Sequence, residues 1–109
     1  MKMMIPHECQ IGAHTFKIRW SPKILDIQDA KGGSEYRLDL IVRLMPGRPT
    51  TQTFQTLMHE ILHLIDMVTL GNDSKITEIE IQALSSGLAQ SLLSLGIEPD
   101  FSQISEEEL

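Results

Sequence analysis

The stretch TTQTFQTLMHEILHLIDMVTLG, residues 50–71, decides the fold of the C-terminal half. Its apolar residues recur at intervals of three and four and therefore share one face of an α-helix: Phe54, Leu57, Met58, Ile61, Ile65 and Val68. Thr50 or Thr51 is a natural N-cap, and Gly71 is a typical helix stop. The pattern predicts a helix over about residues 51–70.

A second helical pattern follows after a short gap. It begins near Ser74 or Thr77, ends at Gly96 with Pro99 beyond, and carries one apolar stripe: Ile81, Leu84, Leu88, Leu92 and Leu95. We expect a helix over about residues 75–95 that packs antiparallel to the first. In a chain of this size the leucine stripe is expected to be core rather than a dimer seam.

The N-terminal half has the alternation typical of β-strands. Apolar and polar residues alternate in HTFKIRW, residues 14–20, and in SEYRLDLIVRL, residues 34–44. The segment CQIGAH, residues 9–14, is expected to pair with the first of these as a hairpin through Gly12. Strands followed by helices predict an α+β domain, in which a small antiparallel sheet of two to three strands packs against two antiparallel helices.

The whole chain of 109 residues is long enough for one domain and too short for two cores. We expect strands mainly within residues 1–45, helices and any site within residues 50–96, and a frayed acidic tail at residues 105–109.

Composition excludes several classes of protein. Nine basic residues stand against 15 acidic ones, the net charge is −6, and Lys and Arg do not cluster, which argues against binding to nucleic acid or to an anionic membrane. The single cysteine, Cys9, cannot form an internal disulfide and is expected to be a small buried thiol. No apolar run reaches membrane-spanning length and the start lacks a signal peptide, so a cytoplasmic location is expected.

The middle of the first helix carries the pattern H-E-x-x-H. Residues four apart on a helix share one face, so His59 and His63 can both bind one metal ion, for which zinc is the first expectation. Glu60 then lies beside the open coordination position and can accept a proton from water. Asp66 and Thr56, each three residues from a histidine, are candidates to orient the imidazole rings.

The competing interpretation is an amphipathic helix with two solvated histidines at its border. By ordinary residue usage the pattern arises by chance in roughly one chain of this length in a few hundred. A position in mid-helix, among apolar residues, favours the metal site.

A third ligand is needed, and the second helix offers Glu80 and Glu78. If that helix starts near Ser74, the helical rise places Glu80 level with His63, which favours Glu80. If Thr77 is the N-cap, Glu80 instead completes a capping box with it. Periodicity alone leaves both glutamates open.

The segment TLMHEILHLID, followed by EIEIQALSSGLAQSLL, resembles small phage and prophage proteins related to the ImmA/IrrE group of zinc metallopeptidases. The likeness spans about residues 34–95. In that group the H-E-x-x-H helix is followed by a helix with a glutamate and then an apolar and a small residue about one turn later. Glu80, with Leu84 and Ser85, falls on this pattern.

The resemblance implies a reduced gluzincin-like, zincin-like fold with His59, His63 and Glu80 as zinc ligands and Glu60 as the catalytic acid/base. Larger relatives cleave DNA-binding repressors, so a protein or peptide substrate of that kind is implied. The alternative is a non-catalytic phage-encoded zinc-binding protein that binds a host or phage regulator. The oligomeric state is left open.

Overall fold

The computed structural model describes residues 1–22 and 40–108. The elements in chain order are β1 (Lys2–Met4), β2 (Glu8–Ile11), β3 (His14–Trp20), β4 (Ile41–Leu44), α1 (Thr50–Thr69), a 3₁₀ turn (Gly71–Asp73), α2 (Glu78–Ser94), β5 (Glu98–Asp100) and β6 (Ser105–Glu106). The α+β class, with two helices and a small sheet, is confirmed. The N-terminal part of the predicted strand at 34–44 lies outside the described residues.

The predicted hairpin at Gly12 is confirmed. β2 and β3 are antiparallel, with Glu8 opposite Lys17 and Ile11 opposite His14. Gly12 has a φ of +61°, in the left-handed region that glycine adopts without strain. A Cβ at this position would lie 2.6 Å from Cγ1 of Val68, so the turn also packs directly against α1.

The sheet is mixed, whereas the sequence predicted an antiparallel one. β4 pairs with β3 in parallel, with Ile18 opposite Val42, and the four-stranded sheet is completed by β6, also parallel to β3. Parallel neighbours need a crossover of about a dozen residues or more, and residues 21–40 lie between β3 and β4 in the sequence. β1 and β5 form a separate parallel pair, Lys2 opposite Glu98, that joins the N-terminus to the chain after α2.

The core lies between β3, β4 and α1. Fully buried side chains from the two strands meet fully buried side chains from the helix: Phe16, Ile18, Val42, Leu44, Phe54, Leu57 and Leu64. α1 begins one residue before the predicted range, with Pro49 rather than Thr50 or Thr51 as N-cap. This core fixes the rotation of α1, and with it the direction of the two histidines.

Only part of the predicted apolar stripe of α2 is buried: Ile81 is 2% exposed, and Leu92 packs partly buried against the core. Leu84, Leu88 and Leu95 are 57%, 42% and 78% exposed. The face that is buried carries Ile81, Ser85 and Ala89, spaced four apart. Small residues allow close approach of two helix backbones, and α1 packs on this side. No helix in the described residues combines the length and apolar character needed to cross a membrane.

The acidic tail, predicted to be frayed at residues 105–109, contacts the rest of the fold through residues 105–107. Ser105 and Glu106 pair with β3, and the Arg43 guanidinium donates to both oxygens of Glu107 at 2.9–3.2 Å. The Arg43 and Glu107 side chains are 8% and 10% exposed. Arg43 lies on the predicted polar face of β4 but is buried, because the tail covers that face.

Candidate metal centre

The two histidines of α1 lie together on the side of the helix that faces the start of α2. The Nε2 atoms of His59 and His63 are 3.1 Å apart, and the ring planes are inclined at 68°. Both side chains are partly buried, at 18% and 32% exposure. The four-residue spacing predicted that both rings share one face of the helix. This is confirmed, because the Nε2 atoms of both rings point to the same place.

The third group at this point is Glu78, the first residue of α2. Its Oε1 is 2.9 Å from Nε2 of His59 and its Oε2 is 2.9 Å from Nε2 of His63. The Glu78 side chain is 64% exposed, so one side of the group is open to solvent. The helix N-terminus favours a negative charge here, because the first backbone N–H groups carry unpaired partial positive charge.

Glu80, the preferred third ligand, does not reach the histidines. The Thr77 N–H donates to Oε1 of Glu80 at 2.8 Å, and the Glu80 N–H donates to Oγ1 of Thr77 at 3.1 Å. These two bonds form a capping box, the competing role that the sequence allowed. The structure therefore brings Glu78, the less favoured of the two candidate ligands, to the histidines in place of Glu80.

The error comes from the path between the helices. The expected position assumed α-helical rise from Ser74 onwards, at about 1.5 Å per residue. Instead Gly71–Asp73 is a 3₁₀ turn and both Ser74 and Thr77 have extended backbone. Such residues advance about 2.0 to 3.3 Å each, so the chain returns to the histidines earlier than expected.

The three side chains make a group that could hold a metal ion, with one ligand atom from each lying within 4.8 Å of the others. Two donors on one zinc at about 2.05 Å and a tetrahedral angle are about 3.3 Å apart. The nitrogens, at 3.1 Å, are close to that separation, and the nitrogen–oxygen contacts, at 2.9 Å, are slightly shorter. Two His and one Glu also match the ligand set of catalytic zinc sites that keep a fourth position open.

Two N–H donors, one from each ring, would satisfy both Glu78 oxygens, but each proton arrangement with an ionised Glu78 leaves at least one unfavourable contact. Each Nε2 carries at most one proton, and the ionised carboxylate only accepts. If both nitrogens are protonated, the 3.1 Å contact of His59 with His63 joins two donors. If only one is protonated, the other nitrogen faces a Glu78 oxygen at 2.9 Å as acceptor against acceptor. A cation among three acceptors removes this conflict, so the chemistry of the donor set fits a metal ion.

Glu60 is buried, at 7% exposure, and lines a pocket of about 470 Å³ beside His59. Thr56 and three glutamines complete the pocket wall: Gln52, Gln55 and Gln82. The arrangement places a carboxylate next to an imidazole of the candidate metal centre and next to a space that a ligand can enter.

Among the described residues, Thr56 and Asp66, the two candidates to orient the imidazoles, do not hydrogen-bond to the rings. The Thr56 hydroxyl donates to the carbonyl oxygen of Gln52 at 3.1 Å. Oδ1 of Asp66 is buried and has no hydrogen-bond partner among the described residues. In the described parts of the chain neither side chain bonds to a ring nitrogen of His59 or His63.

Gln82 is a pocket residue that the sequence reasoning missed. It lies four residues after Glu78, which puts both side chains on the same face of α2. The same spacing that pairs His59 with His63 would have identified it once the start of α2 was known. Gln55, four residues before His59, follows the same rule on α1.

Comparisons of the chain with protein-family models, with curated proteins and with solved structures find no match in any of the three. The functional conclusion therefore depends on the chemistry of the site.

Proposed function

We propose that this protein is a zinc-dependent metallopeptidase that hydrolyses a peptide bond in a protein substrate. The observation that carries the proposal is the convergence of His59, His63 and Glu78 on one point, directly beside Glu60 and its pocket. A purely structural zinc site is usually closed by four protein ligands. Three ligands with an open side are the arrangement used when the metal has to meet a substrate.

Zinc is the proposed ion because two imidazole nitrogens and one carboxylate are the ligands of many catalytic zinc sites. Such a site also has affinity for other divalent ions, in the general order that places copper above zinc. We therefore expect cobalt, another divalent ion, to occupy the same ligands.

A bound zinc ion supplies Lewis acidity, which makes water a nucleophile near neutral pH. The chain's own contribution is proton transfer by Glu60, the one carboxylate among the described residues that line the pocket. Glu60 takes a proton from the attacking water and delivers it to the nitrogen of the leaving amine. Hydroxide adds to the carbonyl carbon, the carbon–nitrogen bond breaks, and the products are one carboxylate and one amine.

The resemblance to the ImmA/IrrE group supports the reaction class and adds a substrate class. Members of that group cleave DNA-binding repressors, and we extend this to the present chain as part of the proposal. The site differs from the group's pattern in one respect, because Glu78 rather than Glu80 accompanies the histidines.

A second candidate is a zinc-binding protein without catalytic activity that binds a regulator. The 64% exposure of the Glu78 side chain favours it, because strongly exposed ligands hold a metal less rigidly. The two candidates share the metal site and differ in the role of Glu60.

Zinc content and proteolysis separate these possibilities. Protein purified with zinc present is analysed by mass spectrometry for bound metal and incubated with casein, an unstructured protein substrate. We expect one zinc per chain, loss of zinc in His59→Ala and in Glu78→Ala, and full retention in the control His7→Ala, whose histidine is exposed and outside the site.

Glu60→Gln provides the catalytic test. This variant should keep its zinc and lose cleavage of casein, and cobalt should restore activity to zinc-depleted wild type. A chain that binds no zinc overturns the proposal. A chain that binds zinc but does not cleave casein, with Glu60→Gln behaving like wild type, supports the non-catalytic candidate instead.

Chelation gives an independent measurement of the metal. A ligand that binds only the folded state adds about 2.7 kcal/mol of stability at 100 times its dissociation constant. For a domain of this size that raises the melting temperature by about 10 °C or more. The melting temperature of His59→Ala should not respond to zinc or to chelator.

A further inference from the structure

The pocket beside Glu60 continues into a second space of about 320 Å³. The two share Gln52 and Gln55, so they form one groove between α1 and α2. The groove runs from His59 towards Thr51, at the start of α1. It therefore leads directly away from the candidate metal centre along the outside of the helix pair.

The walls of this groove are polar but almost uncharged. Four glutamines line it, two from α1 and two from α2: Gln52, Gln55, Gln82 and Gln90. We call the space that they line the glutamine groove. Among the described residues, no Lys or Arg lines either part, and Glu60 is the one acidic residue that does. The lining contains one leucine, Leu93, and one alanine, Ala89.

This composition selects against most classes of ligand. A phosphate group needs cationic partners, and the described lining supplies no Lys or Arg. An apolar ligand or a lipid chain needs a mainly apolar wall. A primary amide, by contrast, has two N–H donors and one carbonyl acceptor, which together match the N–H and C=O groups that alternate along a peptide main chain.

We propose that the glutamine groove binds the main chain of an extended peptide segment on one side of the bond to be cleaved. The inference rests on the proposed function, because it assigns that peptidase its substrate-binding surface. Thr51 and His59 are eight positions apart on α1, a distance of about 12 Å at helical rise. An extended chain advances about 3.3 Å per residue, so the groove holds about four residues.

Recognition through the main chain has two consequences. The substrate segment has to be unfolded, because its N–H and C=O groups must be unpaired to bond with the glutamines. Side-chain identity matters little over these four residues, except that proline and N-methylated residues lack the N–H donor.

The test uses zinc-loaded Glu60→Gln protein, so that binding is measured without cleavage. The probes are a fluorescein-labelled peptide of about eight alanine and serine residues, twice the length of the groove, and the same peptide N-methylated at alternate residues. Fluorescence anisotropy should show saturable binding of the first peptide and weaker binding of the second.

Substitutions in the groove give the matched comparison. Gln52→Ala and Gln55→Ala, each added to Glu60→Gln, should weaken binding of the unmodified peptide roughly three- to tenfold, the effect of losing one hydrogen bond. They should also reduce the difference between the two peptides. Gln103→Ala, an exposed glutamine outside the groove, is the control and should leave binding unchanged.

Absence of saturable binding up to about 1 mM, or equal affinity for both peptides, overturns the inference. So does binding that is unaffected by both groove substitutions. Failure of the proposed peptidase activity gives a different result. A wild type that binds the peptide but cleaves no casein would support the groove as a peptide-binding surface and contradict the proposed reaction. In the opposite case the wild type cleaves casein, but Gln52→Ala and Gln55→Ala change neither cleavage nor peptide binding. That result keeps the proposed reaction and rules out the groove as the substrate-binding surface.

Discussion

Glu78 and Glu80 lie two residues apart at the start of α2 and have different partners. The Glu78 carboxylate contacts both imidazoles at 2.9 Å, while the Glu80 carboxylate accepts the backbone N–H of Thr77 at 2.8 Å. The capping box formed by Glu80 sets the first turn of the helix, and that turn directs Glu78 towards His59 and His63. One glutamate therefore positions the other.

Alanine substitution should separate these two roles. Glu78→Ala removes a proposed zinc ligand. Losing a hydrogen bond that supports a ligand costs roughly 10- to 100-fold in metal affinity, so losing the ligand itself should lower zinc affinity by more than that. Glu80→Ala removes half of the capping box, so the free energy of unfolding should fall by about 1 kcal/mol with a much smaller effect on zinc. Isothermal titration with zinc and urea unfolding of the zinc-free protein measure the two effects.

Thr77→Ala is the control for this comparison, because it removes the other half of the same capping box and should reproduce Glu80→Ala. If Glu80→Ala abolished zinc binding while Glu78→Ala retained it, Glu80 would be the ligand in solution.

The elements predicted well are those with a long periodic pattern. HTFKIRW alternates over seven residues and forms β3 at the predicted residues, with Phe16 and Ile18 buried. The first helix was predicted within one residue at each end, because its apolar face extends over nearly the whole helix. The positions of His59, Glu60 and His63 follow from that helix alone.

The third ligand was harder to predict because it depends on a helix boundary. Ser74 and Thr77 are both acceptable caps, and the choice between them decides whether Glu80 or Glu78 meets the histidines. The N-cap is Thr77, because the side chains of Thr77 and Glu80 form a capping box. A start that depends on one pair of side chains leaves no periodic pattern in the sequence.

The ends of the chain were predicted least well. β1, β5 and β6 contain only two or three residues, too few for an alternating pattern. They form because partners far away in the sequence are brought alongside them by the rest of the fold. The burial of Arg43, on the predicted polar face of its strand, has the same origin.

Removing Glu107 should destabilise the protein strongly. Loss of one partner of a buried ion pair leaves the other charge buried, and the Arg43 guanidinium is 8% exposed. Glu107→Ala should lower the free energy of unfolding by about 3 kcal/mol, measured by urea unfolding. The adjacent Glu108→Ala, at an exposed position, should change it by less than about 0.5 kcal/mol. Equal unfolding midpoints for the two variants would show that the tail does not stabilise the fold.

Two glycine substitutions should have opposite effects on stability. Gly12→Ala places a Cβ 2.6 Å from Val68 at a φ of +61°, so we expect a loss of about 1–3 kcal/mol. Gly87→Ala lies within α2, where a Cβ meets nothing within 4 Å, so we expect a gain of about 0.5–1 kcal/mol from reduced freedom of the unfolded chain. Urea unfolding of both variants measures the effects. A loss of stability in Gly87→Ala would contradict the placement of that residue in an open helical face.

Cys9 should make the stability of the protein depend on alkaline pH. The thiol is half-buried in β2, and this burial raises its pKa above the ordinary value, because the thiolate is poorly solvated there. In the unfolded chain the thiol loses its proton near its ordinary pKa of about 8.5. The folded state thus holds more protons than the unfolded state above that pH, and its relative stability falls as the pH rises from the ordinary pKa through the raised one. Urea unfolding between about pH 8 and pH 10 measures this effect. The free energy of unfolding should decline less with pH for Cys9→Ala than for the wild type. An equal decline in both proteins would mean that the Cys9 thiol is solvated in the folded protein.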